Sequence, residues 1–289
     1  MREHSDAATY ARNLTRYVAA MRAVDPSIQV IAVGHNDMAW NRAVLHLTPS
    51  DTHLDYLLIH HYYGRRDMGG DVRKLLARPE YYDREYDDIA TLLRELPADR
   101  RPKLAINEWG LDLPEAQQYS IFPALYAARL MHVFQRRSEL IGMTSVSDLV
   151  NGWPGGIIQA SRRGVFVTPI YLVNQLYATH AGAERLAIRA DAPMLDAVAT
   201  RSADGRTIFL AAVNVDLERP VQATIRIDRG HVEAAAVLER ISADSLTVAN
   251  SFSQPEAIHI TRESVRAGDT FSIELPKHSI SVITLTTSR

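Results

Sequence analysis

The stretch KLAINEWG, residues 103–110, sets a short apolar run against a single carboxylate. Leu104, Ala105 and Ile106 have the length and character of a buried strand. The run stops at Asn107-Glu108, where the chain is expected to emerge into a loop ahead of Trp109 and Gly110. A glutamate in that position can cap, pair with an arginine or attack a substrate. Which of these it does depends on the sheet to which the strand belongs.

Working outward, strand-like runs alternate with helical ones up to about residue 184. Upstream, Tyr10, Leu14, Tyr17, Val18 and Met21 recur at helical spacing and stop ahead of Pro26. IQVIAVG (28–34) reads as a strand, a short helix follows over 38–46, and LDYLLIHHYYG (54–64) reads as a second strand. GRRDMGG (64–70) has no P-loop order and is expected to be a flexible loop, and DREYDDIATLLREL (83–96) an amphipathic helix. The Arg/Asp/Glu run at 83–101 is expected to form a solvated face. Beyond KLAINEWG come a helix over 122–137, with Pro123 in its first turn, a fourth strand over 140–150 and a helix over 168–182. Such alternation predicts parallel βα units. From residue 185 the pattern changes. LDAVATRS, RTIFLAAVNVD, VQATIRIDRG, DTFSIEL and SISVITLTT are short strands separated by Gly, Asp and Pro turns, the pattern of an antiparallel β-sandwich.

A closed (β/α)8 barrel needs eight strands and roughly 250 residues. Residues 1–184 supply four strands preceded by an unpaired helix, so they are predicted to be the C-terminal half of a TIM barrel, with 185–289 as the sandwich domain. On that count Glu108 ends strand 7, on the face where barrel enzymes place their chemistry. Placing it on strand 4 would require four further strands of the same kind, and a single one follows before the sandwich begins. A half-barrel leaves two open edges, so a second half is expected to complete it.

Composition narrows the partners. A formal net charge of −2 without a dense basic block argues against nucleic acid, and the absence of cysteine excludes disulfides and cysteine-ligated metals. No run approaches the ~18 apolar residues of a membrane span, and MREHSDAATYARNL shows no signal segment, so a cytoplasmic location is expected. The eleven histidines show no HExxH or similar spacing, and no metal or cofactor is predicted.

AMRAVDPSIQVIAVG, LDYLLIHHYYG, INEWG, LVNGWPGGIIQ and GVFVTPIYLVNQLY occur in this order across almost the whole chain. In these stretches and their spacing the sequence resembles the α-L-arabinofuranosidases of glycoside hydrolase family 51, which join a (β/α)8 barrel to a β-sandwich. The resemblance implies a retaining glycosidase that releases terminal arabinofuranose from arabinose-containing oligosaccharides. Such enzymes use two carboxyl groups, a nucleophile and an acid/base. Glu108 matches the family's nucleophile. The acid/base is expected in an Asn-Glu pair on strand 4, ahead of the first residue here. Glu3, Glu80, Glu85 and Glu115 are poor substitutes, being ahead of a helix, in loops or on a polar face. The chain alone is therefore expected to be inactive.

The resemblance also assigns His60 and Tyr62 to the pocket. Strand alternation puts both on one face, with His61 and Tyr63 on the other. Asp148 stands near where some family members carry a sugar-contacting glutamine, and it and Asn151 are candidate contacts, although NGWPGG equally suits a plain turn. Trp109 and Trp153 are candidates for stacking on a sugar or for packing, and Trp40 is read as structural. Two rival readings share these residues. One is a carbohydrate-binding or assembly subunit that docks with a separate N-terminal half, and self-association is compatible with either form. The other is a different retaining barrel glycosidase, such as a β-xylosidase.

Overall fold

A computed structural model describes residues 6–288; Glu3 lies outside them. Helix α1 (Ala7–Val24) starts at Asp6, whose carboxylate accepts the Thr9 N–H at 2.7 Å, and ends at Asp25. It buries Ala11, Leu14 and Val18, while Tyr17 and Met21 stay exposed, so its apolar stripe is narrower than the sequence spacing predicts. Strand β1 (Ile31–Val33), helix α2 (Met38–Leu47) and strand β2 (Tyr56–Gly64) follow. GRRDMGG is not a plain loop. Arg65–Met68 forms a short helix, α3, closed by Gly69 and Gly70 at φ 58° and 82°, values that favour glycine. Helix α4 (Val72–Arg94) begins well before residue 83 and carries Pro79 in its interior. Its face is not all solvated, since Tyr82, Tyr86, Ile89, Leu92 and Leu93 are buried.

Strand β3 (Lys103–Asp112), short helix α5 (Glu115–Gln118), helix α6 (Ile121–Arg136) and strand β4 (Ile141–Val146) come next. A hairpin absent from the sequence reading, β5 (Ile158–Ser161) and β6 (Gly164–Val167), precedes helix α7 (Pro169–Thr179). The remaining strands are β7 (Glu184–Leu186), β8 (Leu195–Arg201), β9 (Thr207–Asn214), β10 (Val221–Arg226), β11 (His231–Ser242), β12 (Ile260–Arg266), β13 (Thr270–Leu275) and β14 (Ser279–Ser288). Thus β7, β11 and β12 join the five strands read from the sequence.

The chain divides into two compact units that interleave along it. The first comprises residues up to Tyr62, Glu80–Gly110 and Arg137–Ser147. Its sheet runs β1-β2-β3-β4 in chain order, with β1 parallel to β2 and β3 parallel to β4. Ala32, Leu57, Ile59, Leu104, Ala105 and Ile106 form its buried middle. The edges differ from that interior: Ile31, Val33 and Met143 are exposed apolar residues on β1 and β4. Arg137 ties α4 down through Asp83 at 2.6 Å and Asp87 at 2.7 Å.

The second unit comprises Tyr63–Pro79, Leu111–Arg136 and the chain from Asp148 onward. A six-stranded antiparallel sheet, β12-β11-β14-β9-β8-β7, faces the two-stranded β10-β13 sheet across Leu238, Ile283, Leu285, Phe271, Ile273 and Leu275. That is the expected sandwich. Helices α6 and α7 also pack on strands of the larger sheet. Helix α6 is buried from Ile121 to Leu130 and again over His132–Phe134, the mark of a helix enclosed on all sides. Each fully buried Leu or Phe there contributes about 1.5–3 kcal/mol relative to exposure.

A polar cluster fastens this unit. Asp196 on β8, 9% exposed in its side chain, accepts from Arg129 Nε at 3.0 Å, Arg136 Nη1 at 2.8 Å and His132 Nδ1 at 3.1 Å. The Tyr177 hydroxyl of α7 meets His132 Nε2 at 2.7 Å. Burial alone would raise the Asp196 pKa, but the His132 hydrogen bond and the Arg136 charge outweigh it and hold the carboxyl well below its usual range. Burial lowers the His132 pKa, so the ring is neutral near pH 7, donating from Nδ1 to Asp196 and accepting the Tyr177 proton at Nε2. The anion is balanced by the two arginines.

Candidate active site

The C-terminal ends of β2, β3 and β4 bring a small set of polar side chains together in the first unit. On β2 the alternation holds, with His61 and Tyr63 buried and Tyr62 exposed. His61 is held on its own side by the Tyr86 hydroxyl at 2.6 Å and by the ring of Tyr82, with centroids 3.9 Å apart. His60 and Tyr62 are turned to the other face.

On β3 the regular alternation breaks where the chemistry sits. Ile106 pairs with Thr144 and Trp109 with Val146, so three steps along β3 match two along β4. The extra residue makes a β-bulge at Asn107-Glu108, a device that re-aims side chains. Its consequence is visible at His60, whose Nε2 lies 3.1 Å from Asn107 Oδ1 while its Nδ1 lies 3.4 Å from Glu108 Oε2. Consecutive residues of an undisturbed strand would point to opposite faces and could not share one imidazole.

Tyr62 completes the arrangement. Its hydroxyl donates to Glu108 Oε2 at 2.8 Å and lies 2.5 Å from Ser147 Oγ. Ser147 follows β4 directly, and its backbone N–H donates to the Trp109 carbonyl at 2.8 Å. Both contacts to Glu108 fall on Oε2, and among the described residues Oε1 has no partner. The Glu108 side chain is 44% exposed. The carboxylate is thus gripped by one oxygen and open at the other.

The remaining candidates separate. Trp109 is 1% exposed and offers no face for stacking, which corrects its reading as a ligand contact. Asp148 and Asn151 belong to the second unit, in the loop after β4, at φ 59° and 51°. The Asn151 amide binds Ala160 at both ends, accepting its N–H at 2.8 Å and donating to its carbonyl at 3.1 Å, so it pins the β5–β6 hairpin. Asp148 is exposed. Trp153 is half-buried over Gly155, where an added Cβ would lie 2.3 Å from the indole. Trp40 donates to the Val33 carbonyl at 3.1 Å, a structural role. Among the described residues, no group of three or more His, Asp or Glu side chains is placed to hold a metal, and no helix is long and apolar enough to cross a membrane. Ser147 went unnoticed in the sequence, where nothing signals a serine that meets a tyrosine so far away along the chain.

The sequence profile of the alpha-L-arabinofuranosidase C-terminal domain matches residues 107–279, more than half of the chain, beginning at the bulge itself. The chain belongs to the alpha-L-arabinofuranosidase family. Among family relatives, a probable alpha-L-arabinofuranosidase C of Aspergillus niger is 24% identical over 95% of this chain and 60% of its own length. An intracellular exo-alpha-(1->5)-L-arabinofuranosidase 1 of Bacillus subtilis is 31% identical over 37% of this chain and 23% of its own. The alpha-L-arabinofuranosidase of Thermotoga maritima, solved with arabinose, superposes with a TM-score of 0.85 at 25% identity, over 98% of this chain and 63% of its own. This family member therefore spans about three fifths of the length of relatives that match it end to end.

Proposed function

We propose that this chain carries the nucleophile of a retaining α-L-arabinofuranosidase, and that Glu108 is that nucleophile. The observation behind the proposal is the one-sided grip on Glu108: Tyr62 and His60 both meet Oε2, and Oε1 is left to attack. In the first step Oε1 bonds to the anomeric carbon as the glycosidic C–O bond breaks, and the departing oxygen takes a proton from a second carboxyl group. That group, now a carboxylate, deprotonates water, which displaces Glu108 and releases arabinose with its configuration retained. Tyr62 holds the carboxylate and His60 shapes the pocket beside it. No cofactor enters these steps.

On this reading the sheet β1-β2-β3-β4 is strands 5–8 of a (β/α)8 barrel within residues 1–184, residues 185–289 are the sandwich, and the acid/base comes from strand 4 of the completed barrel. The substrate class is a terminal α-L-arabinofuranoside of an arabinose-containing oligosaccharide. A location inside the cell belongs to the same proposal, and the name of the intracellular Bacillus subtilis relative supports it. A second reading draws on the exposed apolar residues at the sheet edges β1 and β4. It makes this chain an assembly subunit completed by a separate half-barrel, whose isolated form binds sugar without turnover.

The test uses 2,4-dinitrophenyl α-L-arabinofuranoside, whose leaving group needs little protonation, and intact-mass spectrometry with peptide mapping. A pentosyl adduct on Glu108, absent from Glu108→Gln and absent with the matching β-xylopyranoside, is the expected result. A folded chain that takes up no pentose, or takes it up elsewhere, would overturn the assignment.

A further inference from the structure

Tyr62 Oη stands between two oxygens, 2.8 Å from Glu108 Oε2 and 2.5 Å from Ser147 Oγ. A phenol has one proton to donate, and an ionised carboxylate can only accept. The phenolic proton therefore goes to Glu108, and the shorter contact is closed by the Ser147 hydroxyl donating into Tyr62 Oη. We infer that Ser147 is a positioning residue that fixes the direction of the Tyr62 hydroxyl and, through it, the rotamer of Glu108. The inference rests on the reading of Glu108 as nucleophile and adds to it a residue that touches neither substrate nor reacting atom.

Two further observations support the role. Tyr62 is 42% exposed, so water competes for its hydroxyl, whereas Ser147 is 9% exposed. The serine is the sheltered member of the set, and it occupies the side of Oη that water would otherwise take. Its backbone is fixed as well, because its N–H donates at 2.8 Å to the carbonyl of Trp109, the residue that follows Glu108. The backbone of Ser147 is thus bonded to β3 and its side chain to β2. The bonds close a loop through Glu108, Tyr62, Ser147 and Trp109. A hydroxyl donating into a phenol also polarises it, which strengthens the bond the phenol makes to the carboxylate.

The test compares the wild-type chain with Ser147→Ala, Ser147→Thr, Tyr62→Phe and the Ser147→Ala/Tyr62→Phe pair. The rate of pentosyl transfer from the dinitrophenyl arabinofuranoside to Glu108 is followed by quenched-flow intact mass over a range of substrate concentrations. Ser147→Ala should lower the limiting rate about tenfold, the loss of one hydrogen bond, and leave the half-saturating concentration unchanged. Threonine should restore the rate, and the double variant should be no slower than Tyr62→Phe. An unchanged rate in Ser147→Ala, or losses that multiply in the double variant, would overturn the inference. Crystal structures of the wild type and Ser147→Ala decide it independently of activity. The Glu108 carboxylate should leave its wild-type rotamer when the serine hydroxyl is removed, and a carboxylate that stays in place would count against Ser147. A wild-type chain that transfers no pentose defeats the nucleophile reading, while the paired crystal structures still decide whether Ser147 orients the carboxylate.

Discussion

Glu108 and Asp196 are built from the same kinds of side chain. Each carboxylate has a histidine beside it, His60 in one case and His132 in the other, and each cluster contains a tyrosine hydroxyl, from Tyr62 or Tyr177. They differ in counter-charge and in water. Asp196 is 9% exposed and sits against the guanidinium groups of Arg129 and Arg136, so its charge is fully engaged in holding β8 to α6. Among the described residues Glu108 meets no guanidinium; it is 44% exposed and is bonded through a single oxygen. A carboxylate matched by permanent cations is a fastener. One held at one oxygen by a tyrosine hydroxyl keeps its charge available for a reacting carbon.

The largest break in that comparison comes from deleting the two carboxylates. Asp196→Ala leaves the buried Arg129 guanidinium, and the partly exposed Arg136 beside it, without their anion and should cost about 3–5 kcal/mol in urea unfolding. Glu108→Gln should change the same unfolding energy by less than about 0.5 kcal/mol while abolishing the pentosyl adduct. Equal costs for the two would remove the distinction.

Acid should weaken the Asp196 cluster. His132 has a lowered pKa in the folded chain, so below about pH 6.5 the unfolded chain takes a proton that the buried ring refuses. Below about pH 4 Asp196 adds to this in the same direction, because its carboxyl is protonated in the unfolded chain and ionised in the folded one. Stability is therefore complete near neutral pH and declines in two stages as pH falls. The urea midpoint measured from pH 7 to pH 3 should show both stages, and His132→Gln should remove the upper one. A flat profile in the wild type would refute the neutral-ring assignment.

The smallest effect sharpens the comparison most. Removing the buried phenol hydroxyl in Tyr177→Phe leaves His132 Nε2 unsatisfied and should cost about 1–2 kcal/mol of stability. Tyr62→Phe should cost under about 0.5 kcal/mol of stability, yet slow pentosyl transfer by about tenfold to a hundredfold.

The elements that carry Glu108 were legible because apolar runs and strand–helix alternation are local properties of sequence, and so was the common face of His60 and Tyr62. What escaped the reading depended on partners distant along the chain. The bulge at Asn107-Glu108 exists through its register with β4, and Ser147 matters through β2. Strand β11 escaped for another reason. Its EAAAVLER stretch is made of good helix formers, and pairing with β12 and β14 overrides that preference. Pro79 obscured the start of α4, since a proline reads as a helix boundary when it stands inside one. Trp109 was misplaced as a sugar contact because a tryptophan beside a catalytic position looks the same in sequence whether it faces a ligand or the core.

Helix α6 has a practical consequence for anyone wishing to transplant the sandwich. In chain order it lies between β3 and β4, yet its arginines and histidine complete the Asp196 cluster, and it packs on β8, β9 and β14. A gene fragment opened at residue 185 would encode every long strand of the sandwich and still release a sheet with a bare apolar face and an orphaned buried aspartate. The portable module includes residues 111–136, and a split that respects only the order of the chain would cut through it.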